Sequence, residues 1–197
     1  VRLTTTELTY GVTYTLSISN VLDRAWVPNS IPAGSSIVFV ATEYYSGVIG
    51  GAGVEGSLIT ETNGFVLSAN GGDIGGVADQ FVFAYQQREG DFDVQARIES
   101  FDLADAWAKA GLMARENLNT NSRFAAILAT PALAGAFFSS RSAAGQAAVT
   151  AGSYPVNYPY TWLRLERTGN VFSGYAGVAE GSWTKLGSVT LALPGTI

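Results

Sequence analysis

The chain has 197 residues, 47% hydrophobic and 14% charged, with 23 glycines and a formal net charge of −5. That is enough apolar material for a packed core and too little charge for a disordered chain, while the acidic balance opposes a non-specific grip on nucleic acid or anionic lipid. Cysteine and histidine are absent, which removes disulfides, thiolate nucleophiles, the serine–histidine triad and histidine-ligated metals. Carboxylate chemistry and oxygen-ligated cations stay open. No run approaches the ~20 apolar residues of a membrane-spanning helix. Val1-Arg2-Leu3 shows neither a signal-peptide pattern nor an initiator methionine, which predicts an internal or processed piece.

Residues 1–40 read as a separate unit. Tyr14, Leu16 and Ile18 alternate along Thr13-Tyr14-Thr15-Leu16-Ser17-Ile18, and a turn-rich stretch with Pro28, Pro32 and Gly34 leads to a last strand at Ile37-Val38-Phe39-Val40. Tyr14, Thr15, Leu16, Ile18, Val21, Asp23, Ala25, Val38 and Val40 match the pattern of the C-terminal half of a bacterial immunoglobulin-like repeat, which this unit resembles. Such a sandwich needs ~7 strands, so the unit is expected to be partial. Residues 41–56 are glycine-rich without steady alternation and read as a linker with a loop.

The second unit, 57–197, opens with short strands at Ser57–Thr60 and Gly64–Ala69. Three alternating runs follow: Phe81, Phe83, Tyr85; then Phe92, Val94, Ala96, Ile98; then Ala110, Leu112, Ala114. A period of two puts each set on one side of a strand, and the polar, glycine-bearing Gln86-Gln87-Arg88-Glu89-Gly90-Asp91 reads as a hairpin loop between the first two. Three neighbouring strands with apolar faces are expected, covered by a second sheet. Arg123–Thr130 is apolar on both faces, as suits the centre of a sandwich. Gly135–Arg141 is a further strand, with a small-residue loop through Ala151. Tyr160–Arg167 and Val171–Ala176 are expected to pair across Thr168-Gly169-Asn170, and Trp183–Ser188 and Val189–Leu193 to close the chain. No segment holds a helical period beyond about ten residues. The predicted fold class is all-β, an antiparallel sandwich.

Several motifs fall in one order: Asp73, Gly75, Gly76 and Asp79-Gln80-Phe81; Gly90 to Ile98; Trp107 to Glu116; Trp162 to Tyr175; Gly181 to Gly187. Together they resemble the concanavalin A-like, laminin-G-like jelly rolls of secreted bacterial proteins, related to the accessory sandwich of family-43 β-xylosidases. The resemblance covers roughly residues 57–193. It implies a jelly roll in an extracellular, secreted or cell-surface protein, without catalytic residues of its own, accompanying proteins that act on or bind polysaccharide. Members continue by another strand or two past Leu193, so the jelly roll is expected to lack its last strand, with the chain a fragment or completed by strands from neighbours.

Candidate chemistry follows from residue types. Trp107, Tyr158, Tyr160 and Trp162 are either stacking platforms for sugar rings or core, with core favoured for Trp162 because it opens a strand beside Leu163 and Leu165. Lys109, Met113 and Arg115 share a mixed face on which Gly111 leaves room for a ligand, and Arg141 adds a further donor to sugar hydroxyls; an ordinary solvated face is the competing reading. Asp73 and Asp79, in glycine-rich loops as Asp102 and Asp105 are in theirs, are either turn caps, the preferred reading, or rim ligands for Ca²⁺; no cofactor is expected to be required. Asp91 and Asp93, with Glu89, form a carboxylate group for glycoside hydrolysis or solvated loop and edge charges; the charge reading is preferred. Arg164, Glu166 and Arg167 are expected to make surface cross-strand pairs. The expected function is a non-catalytic carbohydrate-binding module whose partners are a polysaccharide or cell-surface glycan and neighbouring domains or identical subunits. A structural stalk or filament subunit and a carboxylate-dependent hydrolase fragment are the alternatives.

Overall fold

The computed structural model describes residues 8–9, 12–19, 21–22, 24–41, 44–51, 53–61, 64–102 and 104–197. Among them every regular element is a strand: β1 (Thr13–Ile18), β2 (Ser35–Val40), β3 (Tyr45–Ile49), β4 (Gly56–Glu61), β5 (Gly64–Ala69), β6 (Phe81–Tyr85), β7 (Phe92–Ile98), β8 (Ala110–Arg115), β9 (Phe124–Ala129), β10 (Ala136–Arg141), β11 (Val149–Tyr154), β12 (Thr161–Thr168), β13 (Val171–Gly177) and β14 (Thr184–Thr190). The fold is all-β. No helix long and apolar enough to cross a membrane occurs among the described residues, which says nothing of a β-barrel.

The chain divides into two compact units. The first comprises Val1–Ser46, Ser57–Ser68 and Ala84–Gln86, and the second Gly47–Gly56, Ala69–Phe83 and Gln87–Ile197. In the first, β1 and β2 form an antiparallel hairpin with Tyr14 opposite Phe39 and Leu16 opposite Ile37. This register gathers Tyr14, Leu16, Ile18, Ile37 and Phe39 on one face, and the Tyr14 and Phe39 rings stack at 6.0 Å. Ile37 and Val38, on opposite faces, are both exposed, and Trp26 between the strands is 100% exposed. Asp23, which contributes to the immunoglobulin-like pattern, lies outside the described residues, as do residues 1–7, Tyr10 and Gly11. Inside the stretch read as a linker the structure places β3, which pairs with β6; β4 and β5 form a further two-stranded sheet.

The second unit holds two antiparallel four-stranded sheets, ordered β11-β10-β9-β8 and β14-β13-β12-β7. They share one core. Ala125, Ile127 and Phe138 of the first sheet meet Leu163, Leu165 and Phe172 of the second, all buried, which makes this unit a β-sandwich. β9 lies between β8 and β10 and is buried along its whole length, as a strand apolar on both faces must be. β12 and β13 join through the two residues Gly169 and Asn170, with Thr168 opposite Val171, and Gly169 takes the positive φ of 58° that such a tight turn demands. Gly174 and Gly187 face each other across β13 and β14. A Cβ at either would lie 2.5 or 2.7 Å from the Phe138 ring, so the two glycines form the notch that receives this side chain.

The structure departs from the sequence expectations chiefly where neighbours, rather than faces, are at stake. β7 alternates, whereas in β6 Val82 is more buried than Phe81, Phe83 and Tyr85 and in β8 Ala114 and Arg115 are both buried, and the three strands belong to three different sheets. The 86–91 connection is therefore no hairpin: its backbone bonds to the C-terminal segment, with Arg88 and Ile197 exchanging N–H···O bonds of 2.8 and 2.9 Å and the Gly90 N–H donating to the Gly195 carbonyl at 3.0 Å. The small-residue loop after Arg141 ends at β11, which begins at Val149, and β14 runs to Thr190 as one strand. Trp162 is not in the core. Leu163 and Leu165 point inward, so Trp162, Arg164 and Glu166 take the other face, where the Arg97 guanidinium lies 5.9 Å from the Trp162 ring. Arg167 is not a surface pair but buried, donating to the carbonyls of Gly169 and Pro194 at 3.0 and 3.1 Å. At the end of a sandwich an arginine facing inward needs such carbonyls, because an unpaired buried cation is costly.

Candidate functional site

The outer face of the β8–β11 sheet is built in cross-strand rows. One row runs Met113, Ala126, Ser139, Thr150; the row beside it on one side holds Gly111, Leu128 and Phe137, and on the other Arg115, Phe124 and Arg141. The face expected for Lys109, Gly111, Met113 and Arg115 is thus real, but it is half covered. Ile74 and Phe81, from the segment that precedes and enters β6, pack on Phe124, Ala126, Leu128, Met113 and Phe137 as a second small core.

That cover is pinned by a buried ionic cluster. Asp79, Arg141 and Arg115 have side chains 0%, 0% and 2% exposed. Asp79 takes Arg141 in a bidentate fork, Nη2 to Oδ1 at 2.6 Å and Nη1 to Oδ2 at 2.8 Å, and Arg115 Nη1 stands 3.5 Å from Oδ2. The remaining donors of Arg141 go to carbonyls of three loops: Gly76 at 2.5 Å, Ser122 at 3.0 Å and Gln146 at 2.8 Å. All five N–H groups of a guanidinium are thereby engaged. Arg115 donates to the Asn117 and Asn119 carbonyls at 2.8 and 2.6 Å, and burial lowers its pKa, with the Asp79 charge opposing that shift. Neither arginine is available to a ligand, and both carboxylate oxygens of Asp79 are held within the protein.

The uncovered half of the face is an open pocket of about 390 Å³. Phe137, Ser139 and Thr150 line it from the sheet, Ala148 from the loop before β11, and Trp107, 59% exposed, from the loop before β8. The indole is set by its own backbone, whose N–H donates to Asp105 Oδ1 at 2.7 Å. Asp73 and Lys109 line the pocket as an ion pair through Asp73 Oδ1, which also accepts the Ile74 N–H at 2.7 Å. Gly75 completes this side, its carbonyl accepting the Ala148 N–H at 2.8 Å.

Of the residues singled out in the sequence, the structure therefore brings Trp107, Lys109 and Asp73 together at the pocket. Met113 lies in the covered half, with its Sδ 3.5 Å from Arg115 Nη1. Tyr158 donates its hydroxyl to the Thr130 carbonyl at 2.6 Å and Tyr160 is exposed; neither lines the pocket. Gly111 is required by packing rather than by a ligand, since a Cβ there would lie 2.1 Å from the Ile127 carbonyl oxygen. Among the described residues no three acidic side chains gather as a metal-binding group. Asp91 Oδ1 accepts the Gly169 N–H at 2.7 Å and so caps the β12–β13 turn. The hydrogen-bonded Arg164 holds the Asp93 carboxyl below its ordinary range, through two bonds of 2.8 Å. Sequence reasoning missed Phe137, Ser139 and Thr150; the alternation Ala136, Phe137, Phe138, Ser139 was the signal that sets Phe137 and Ser139 on one face.

No protein-family model matches the chain, and no curated protein or solved structure matches it.

Proposed function

We propose that the β-sandwich unit is a non-catalytic carbohydrate-binding module that works outside the cell, a jelly roll of the concanavalin A-like, laminin-G-like kind its motifs resemble, within a larger secreted or surface protein. The observation that carries this reading is the pocket: a half-exposed indole beside a charged donor–acceptor pair and the exposed Thr150 hydroxyl. A sugar ring has an apolar C–H face and a rim of hydroxyls, and it needs a flat aromatic with a few polar groups placed around it. The test is glycan-array binding of the intact chain followed by titration of any positive with Trp107→Ala. Loss of about tenfold or more in affinity, ~1.4 kcal/mol, supports the site; unchanged affinity would sink it.

A second reading is supported by the β1–β2 hairpin. Two strands alone are marginal in water, and this pair presents Ile37, Val38 and the neighbouring Trp26 to solvent. Exposed apolar surface of that kind marks an interaction site, which fits a stalk or filament subunit assembled by strand complementation. Light scattering after size exclusion separates the readings: concentration-dependent polymers favour assembly, and a monomer that binds glycan favours the module.

A further inference from the structure

Resting on the carbohydrate-binding reading, we infer that the pocket selects an uncharged sugar and grips it by two vicinal hydroxyls across the Asp73–Lys109 pair. Of the residues lining the pocket, only these two ionise, and they are bonded to each other through Asp73 Oδ1, so their charges cancel. The Asp73 side chain is 59% exposed and the Lys109 side chain 15%, which leaves the carboxylate accessible beside the ammonium. An ammonium carries three N–H donors and a carboxylate about four acceptor sites. The pair thus offers a donor and an acceptor side by side. A vicinal diol offers the complementary arrangement, one hydroxyl accepting from Lys109 while its neighbour donates to Asp73. Thr150, exposed on β11, adds a neutral hydroxyl partner on the same face, and Trp107 supplies the wall for the C–H side of the ring.

The same geometry disfavours anionic sugars. A uronate or sulfate group needs a free cation, and the two further cations of this face, Arg115 and Arg141, are buried with their donors engaged by Asp79 and backbone carbonyls. Lys109 is already neutralised. An added negative charge would face Asp73 with nothing to compensate it, at a contact distance where like charges repel measurably even near water.

The experiment is calorimetric titration of the intact chain with neutral xylo- and gluco-oligosaccharides and with oligogalacturonate, repeated on Asp73→Asn after circular dichroism shows an unchanged fold. The native protein should bind a neutral oligomer at least about tenfold more tightly than the uronate. Asp73→Asn frees the Lys109 charge and should narrow or reverse that ratio. Tighter binding of the uronate by the native protein, or a ratio that Asp73→Asn leaves unchanged, would overturn the selectivity while leaving the sugar-binding reading in place. Binding of neither class would remove the carbohydrate reading itself, and this inference with it.

Discussion

Arg141 and Asp79 are 62 residues apart in the chain and meet as a fully buried bidentate pair, with N–H···O distances of 2.6 and 2.8 Å. The pair ties the 70–80 segment to the end of β10 and thereby sets where Asp73, Ile74 and Gly75 stand at the pocket. A buried charge that loses its partner is left uncompensated, at a cost of ~3–5 kcal/mol. Arg141→Met and Asp79→Leu should each lower unfolding free energy by about that much in urea titrations. The double variant should lose less than the sum of the two, because it removes the Asp79–Arg141 interaction only once, leaving Arg115 buried on the Asn117 and Asn119 carbonyls. Additive losses would mean that the two side chains do not depend on each other.

The Gly174–Gly187 notch makes a second, independent demand. An alanine at Gly174 would put its Cβ 2.5 Å from Phe138 Cδ2, and overpacking of this kind costs ~1–3 kcal/mol. Gly174→Ala should therefore destabilise by that amount, and Phe138→Leu in the same chain should recover part of it, although Phe138→Leu alone is destabilising. A coupling energy of zero between the two sites in a double-mutant cycle would refute the notch.

These contacts explain what was legible in the sequence. Alternation fixes faces locally: Leu163 and Leu165 point inward because the strand period is two, β9 is central because both its faces are apolar, and Gly169 marks its turn by its own φ. Alternation does not choose neighbours. β7 pairs with β12, so Val94 lies opposite Leu165, and nothing local to Phe92–Ile98 distinguishes that pairing from one with β6. The pocket was half legible for the same reason. Trp107 and Lys109 sit close in sequence, whereas burial of Arg115 and Arg141 follows from the Ile74–Phe81 segment folding over them, a non-local event. A cation on an otherwise apolar or small-residue strand, as Arg141 is, was the available hint that an acidic partner would be buried with it.

Acid should act through two carboxylates. Hydrogen bonding to Arg164 lowers the Asp93 pKa from its ordinary 3.8, and hydrogen bonding to Arg123 lowers that of Glu116 from 4.5. A depressed folded-state pKa gives stability that is present above the unfolded value and is lost as pH falls through the folded one. Both groups are partly solvated, so the effect is small and salt-sensitive. Urea titrations at about pH 7 and about pH 3 should show a smaller acid-induced loss in Asp93→Asn than in the native chain. Equal losses would mean that the Asp93–Arg164 pair contributes nothing to the pH dependence.

Alkali should act through Tyr158. Burial pushes its phenol from 10 up to about 12, while its hydroxyl donates to the Thr130 carbonyl at 2.6 Å. The folded state therefore favours the neutral phenol. The resulting stability is complete below pH 10 and is lost as pH rises through about 12. Titration followed by tyrosinate absorbance should resolve a late-ionising residue in the native chain that is absent from Tyr158→Phe. The same variant should be less stable near neutrality by ~0.5–1.5 kcal/mol, the worth of one hydrogen bond, yet its stability should fall less steeply through the alkaline window. If Tyr158→Phe instead removes a tyrosine that ionises in the ordinary range, Tyr158 is solvated and the Thr130 contact does not hold it.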